Sequence, residues 1–170
     1  MARWIALVLL AVSLRAGGEV ADGSGERRFS IPAARLGVAI PSEDWVIGRE
    51  QRRPGDTAAY YMLSSERRRV VFSVFIDRTN VCNSADACLD AALKNASYKE
   101  ARDLQRGQSG AFATATFYLD NPMGAPIKQA HVLASAYLDG VWYDIHISKA
   151  ERERPDLAPL LETLKSVALK

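Results

Sequence analysis

Gln129-Ala-His-Val-Leu-Ala-Ser-Ala-Tyr-Leu138, then Asp139-Gly140, then Val141-Trp-Tyr-Asp-Ile-His-Ile-Ser148 is the stretch that decides how this chain folds. Two alternating runs rich in apolar and β-branched residues flank an Asp-Gly pair, which is a strong short hairpin signal. With Asp139 and Gly140 as the loop, Leu138 faces Val141 and pairing runs outward from there. Side chains alternate along a strand, so the pairing assigns two faces. One collects Val132, Ala134, Ala136 and Leu138 with Val141, Tyr143, Ile145 and Ile147, and is a core face. The other collects His131, Leu133, Ser135 and Tyr137 with Trp142, Asp144, His146 and Ser148.

Both histidines of the chain lie on that second face. His146 stands opposite Leu133 and His131 lies on the diagonal, within reach of His146. Asp144 stands opposite Ser135. Imidazoles and a carboxylate are metal-ligand types, so one reading is a ligand or metal face using His131, Asp144 and His146, with Tyr137 and Trp142 beside them. The other reading is an amphipathic sheet face, part solvated and part covered by a helix. Two neighbouring sheet residues seldom close a metal site, so the structural reading is preferred, and neither metal nor cofactor is expected.

Moving outward, Ala58–Leu63 and Val70–Ile76 read as strands joined by a polar loop at Ser64–Arg69. Trp45–Ile47 is a short strand signal, and Ala111–Leu119 alternates. Gly107-Gln-Ser-Gly110 reads as the turn before that last strand. Asn83 or Ser84 caps a helix running through Asp86 to Asn95. A second helix is expected over Pro155–Ala168, with Leu157, Leu160, Leu161, Leu164 and Val167 at helical spacing. The order of strands, helix, strands, helix predicts an α+β fold, an antiparallel sheet flanked by helices.

The ends set the compartment. Arg3 precedes about ten apolar residues, and small residues follow at Ala16-Gly17-Gly18, the three parts of a secretory signal. Residues 1–18 are therefore expected to be a signal peptide, 19–28 a flexible mature N-terminus, and 29–170 one domain. The whole chain carries 22 basic and 20 acidic residues. Removing residues 1–18 takes away Arg3 and Arg15 and leaves a formally neutral chain, which argues against a nucleic-acid partner. No later stretch is long and apolar enough to span a bilayer. The only two cysteines, Cys82 and Cys88, read as a disulfide in an oxidising compartment, periplasmic or secreted. Their spacing is not that of a Cys-x-x-Cys redox pair.

Val38-Ala-Ile40-Pro41 followed by Asp44-Trp45, then Tyr60-Tyr61, the apolar run Val70–Ile76, a mid-chain helix, two long strands and a C-terminal helix resemble the PsbP/Mog1-like family over residues 29–170. The resemblance implies an α/β/α sandwich and a binding or accessory role rather than catalysis. It carries no catalytic set onto positions of this chain. The sequence itself has no Gly-x-Ser-x-Gly elbow, no phosphate loop and no His-Glu-x-x-His. The leading expectation is thus an exported, non-enzymatic accessory protein whose partner is another exported or envelope protein. Two alternatives stand beside it. One is a small exported enzyme or metal-binding protein using the His131/Asp144/His146 face, and the other is an inhibitor or immunity protein for a secreted toxin.

Overall fold

The Asp139-Gly140 turn has positive φ at both residues, 51° and 80°. That is the conformation a two-residue hairpin of the favoured hand requires, and Asp and Gly tolerate it. The computed structural model describes residues 19–21 and 25–170; the expected signal peptide lies outside the described residues. In chain order the strands and helices are β1 (Glu19–Ala21), β2 (Glu26–Phe29), β3 (Val38–Pro41), β4 (Val46–Arg52), β5 (Ala58–Ser65), β6 (Val70–Arg78), α1 (Ala85–Leu93), β7 (Arg102–Ser109), β8 (Phe112–Asp120), β9 (Lys128–Leu138), β10 (Val141–Glu151), α2 (Ala158–Lys165) and β11 (Ala168–Leu169). No helix among the described residues is long and apolar enough to cross a membrane.

Hairpin β9–β10 is the centre of a seven-stranded sheet of order β4-β5-β6-β10-β9-β8-β7, with every neighbouring pair antiparallel. Leu138 pairs with Val141 and the register runs unbroken to Lys128–Glu151. The face carrying Val132, Ala134, Ala136, Val141, Tyr143, Ile145 and Ile147 is fully buried, whereas Leu138, expected on it, sits at the turn and is 37% exposed. It packs on the small sheet β1-β2-β3-β11 and on α2. Phe29, Val38 and Ile40 come from the small sheet, and Leu160 and Leu164 from the helix. Tyr143 and Tyr61 also lie in this layer; the Tyr143 hydroxyl donates to the Leu36 carbonyl at 3.2 Å, so its burial leaves no orphaned donor.

The α/β/α sandwich is not what forms. The helices have nine and eight residues, too short to make a layer, and the fold is β-rich, with two antiparallel sheets facing each other across the core. Three local facts account for the difference. The expected C-terminal helix stops at Lys165, and the chain then turns so that Ala168 and Leu169 pair with Ala39 and Val38. Residues 26–28, placed by sequence in a flexible N-terminal stretch, are the start of β2 and pair with β3. The sheet is also wider than expected, because β4 extends to Arg52 and Arg102–Ser109 forms β7. Gly107 lies inside β7, and the turn falls at Gly110, whose φ is 59°.

The second face of the large sheet carries the histidines. Helix α1 lies over β8, β9 and β10, burying Leu89 against Ala113, Ala115, Phe117 and Leu133. Ser84 caps it, its hydroxyl accepting from the Ala87 N–H at 3.1 Å. The Cys82–Cys88 disulfide ties the entering loop to the first turn, with Cα atoms 5.0 Å apart.

Candidate functional site

Past the end of α1 the chain makes one turn of 3-10 helix, Ala96–Tyr98, started by the Asn95 side chain accepting from the Ser97 N–H. That turn lowers Tyr98 onto the sheet. There it meets Phe117, His131 and His146, with ring centroids 5.0, 6.0 and 5.9 Å away. Phe117 is the direct β8 neighbour of His131 and stacks on it, centroids 4.8 Å apart and planes 8° from parallel.

His131 Nδ1 and His146 Nε2 are 2.8 Å apart. The rings are 15° from parallel with centroids 5.1 Å apart, which is the separation of two imidazoles joined edge to edge through one short hydrogen bond. Gln129 Oε1 lies 3.2 Å from His131 Nε2. A carbonyl oxygen only accepts, so His131 carries its proton on Nε2 and donates it to Gln129. His131 Nδ1 is then the acceptor for the His146 Nε2 proton. One tautomer assignment satisfies both contacts with both rings neutral.

Burial favours that neutral state. Desolvation lowers His131 to a pKa of about 3, and His146 beside it acts in the same direction. Desolvation lowers His146 to about 4. Tyr98 is pushed up to about 12, chiefly by burial and then by the charge of Asp144.

Asp144 belongs to a separate small network. Its Oδ1 accepts from the Ser135 hydroxyl at 2.9 Å, and the Trp142 indole N–H donates to Ser135 Oγ at 3.4 Å. Desolvation raises its carboxyl to about 6, against the lowering effect of the Ser135 hydrogen bond. Asp144 is thus turned to Ser135, while His131 and His146 are turned to each other. The trio His131, Asp144 and His146 does not converge on a point, and among the described residues no three His, Cys, Asp or Glu side chains form a group suited to a metal ion. Tyr137 pairs with Trp142 near the hairpin turn, six residues along β9 from His131.

Two openings border this cluster. A cleft of about 500 Å³ runs along the turn after α1, lined by Asn95 to Glu100 on one side, Leu119, Asp120 and Pro122 on another, and Gln129, His131 and His146 at its floor. Beyond Asp144, α1 leaves the β5–β6 half of the same face uncovered. There Phe75 meets Trp142 edge to face at 5.8 Å, and the adjoining Tyr60 and Met62 are half-buried. Val71, on the same face, is 41% exposed.

Gln129, Phe117 and Tyr98 were not among the residues singled out by sequence. Gln129 lies two positions before His131 and falls on the same face by strand alternation alone. Phe117 required knowing that β8 neighbours β9, and Tyr98 required the helix docking, for which the sequence carries no local signal.

No protein-family model matches the chain, and no curated protein sequence matches it. Among solved structures the chain is similar in shape to the solution structure of cyanobacterial PsbP (CyanoP) from Synechocystis sp. PCC 6803, at 12% sequence identity and a TM-score of 0.48, over 88% of this chain and 95% of that one.

Proposed function

We propose that the chain is an exported, non-enzymatic binding protein that docks another envelope or secreted protein on the uncovered half of its large sheet. The observation that carries this reading is the group Tyr60, Met62, Phe75 and Trp142, half-buried and contiguous beside α1. Aromatic and Met side chains are enriched in protein interfaces, and these four are contiguous and partly exposed. The nearby polar groups support the same reading. The two histidines are engaged with each other and with Gln129, and Ser135 is engaged with Asp144. The Cys82–Cys88 disulfide suits an oxidising compartment.

The test places a photo-crosslinking residue at Tyr60 and, separately, at Leu161 on α2, across the molecule. Exposed to the periplasmic or secreted fraction of the source organism, the Tyr60 derivative should give one dominant adduct that the Leu161 derivative does not. A Val71→Asp substitution should abolish that adduct while leaving the melting temperature unchanged. Adducts of equal yield from both positions, or an adduct insensitive to Val71→Asp, would refute the docking face.

A further inference from the structure

We infer that His131 and His146 form a two-coordinate site for a soft monovalent cation, Cu(I) or Ag(I), reached through the cleft beneath Tyr98. This site is distinct from the docking face. The two ring nitrogens are 2.8 Å apart in nearly coplanar rings joined edge to edge, so their lone-pair axes lie along one line. That is the relative orientation of the two donors in a linear bis-imidazole complex. Metal–imidazole bonds of about 2 Å put the nitrogens roughly 4 Å apart, so the gap must open by about 1 Å.

The surroundings assign which ring moves. His131 is 4% exposed, stacked on Phe117 and held from behind by Gln129. Gln129 also fixes its proton on Nε2, which leaves Nδ1 facing the gap, the usual office of a carbonyl behind a ligating histidine. Both rings line the cleft; the stack on Phe117 and the Gln129 contact hold His131, so the His146 ring supplies the displacement. On binding, the His146 proton leaves Nε2 and Nδ1 takes one from solvent. Both rings stay neutral and no net proton is released.

The same surroundings select the ion. Zinc takes four ligands in structural sites and three plus water in catalytic ones. Among the described residues no third metal-ligating carboxylate, thiolate or imidazole converges here. The walls are the rings of Tyr98 and Phe117, which offer no further strong donor. A d10 monovalent ion is satisfied by two soft-to-borderline donors in a line and brings a single charge into an apolar setting. Glu100 and Asp120 line the route in.

The experiment titrates the intact disulfide-bonded protein with Ag(I), and with Cu(I) under anaerobic conditions against a competing chelator. Imidazole nitrogens are followed by long-range nitrogen–proton NMR. The expected result is one ion per chain, with the resonances of His131 Nδ1 and His146 Nε2 shifted and those of the other two ring nitrogens kept in their neutral positions. His146→Asn and His131→Gln should each abolish binding. Because the wild-type spectrum identifies the ligating nitrogens by itself, the reading stays refutable even where a variant fails to fold. Stoichiometric binding that leaves both imidazoles unshifted would overturn it, as binding through methionine thioethers would look. So would absence of Ag(I) binding, or Zn(II) bound as tightly as Ag(I).

Discussion

Lowering the pH from 7 to 5 should destabilise the metal-free protein by about 2 kcal/mol, and the histidine pair sets the sign. In the unfolded chain each histidine titrates near 6.5; in the folded protein the two lie at about 3 and about 4. A depressed histidine contributes stability that is fully present above 6.5 and is lost as pH falls toward the folded value, because the unfolded chain takes up the proton first. At about 1.4 kcal/mol per unit, each ring loses roughly 2 kcal/mol by pH 5, or about 4 kcal/mol together. Asp144 opposes this. Its carboxyl titrates at about 6 in the folded protein against 3.8 for an ordinary aspartate, so the folded state takes up that proton first and gains about 1.4 kcal/mol over the same interval. Asp144 and His146 are both partly buried, so both contributions are discounted alike and the net loss is about 2–3 kcal/mol.

For a domain of this size that is a fall in melting temperature of roughly 8 °C. The assay is calorimetry or circular dichroism at pH 7, 6 and 5 in chelator-treated buffer at fixed ionic strength. Asp144→Asn removes the opposing group and should steepen the loss toward about 4 kcal/mol. His131→Leu/His146→Leu removes both histidine contributions and should reverse the slope over this range. The reasoning is refuted by a wild-type melting temperature equal at pH 7 and pH 5, or by imidazole resonances in the folded protein that titrate near 6.5.

Other perturbations test the scaffold. Cys82→Ala/Cys88→Ala should cost about 2 kcal/mol in denaturant unfolding, the chain-entropy value for so short a loop, and thiol titration of the native unreduced protein should find no free thiol. Ser84→Ala removes the cap of α1 and should cost about 1 kcal/mol. Gly37→Ala should cost about 1–3 kcal/mol by the same measure, because a Cβ there lies 2.7 Å from the Phe29 carbonyl oxygen, a backbone atom that cannot swing aside. An unchanged midpoint in that variant would show that β2 and β3 are free to separate.

The central hairpin was legible because three signals agreed: an Asp-Gly pair, period-two alternation on both sides, and β-branched residues on one face. The register from Val141–Leu138 outward follows from those alone. Strands β4 and β7 carried no such agreement. Gly-Arg-Glu-Gln-Arg and Arg-Asp-Leu-Gln-Arg-Gly-Gln are polar on both faces, and both strands are sheet edges, largely solvent-exposed. Charged residues blunt an edge against pairing with another chain, and that same composition hides it from a reading of hydrophobic period. At the C-terminus Leu157, Leu160, Leu161 and Leu164 gave a sound helical period, yet the sequence could not show that Ala168 and Leu169 would gain more by pairing with β3 than by adding another half-turn. That competition is decided by tertiary contacts, which override propensity.

The site divides along the same line. Strand alternation alone puts His131 and His146 on one face and within reach, since a diagonal pair needs only the register. It cannot say that the rings meet edge to edge, because that depends on Phe117 stacking from the neighbouring strand and on Gln129 holding the far nitrogen. Nor can it separate Asp144 from the histidines, a separation caused by Ser135 directly across the hairpin. The cleft is further still from the sequence. Its Tyr98 wall exists because Leu89 docks on Leu133, and the helix that carries Leu89 is fixed at its start by the disulfide and the Ser84 cap. The cysteines, read as a staple at a helix entrance, therefore act on the site at one remove: they set where α1 lies, α1 sets where Tyr98 falls, and Tyr98 forms one wall of the cleft over the histidine pair.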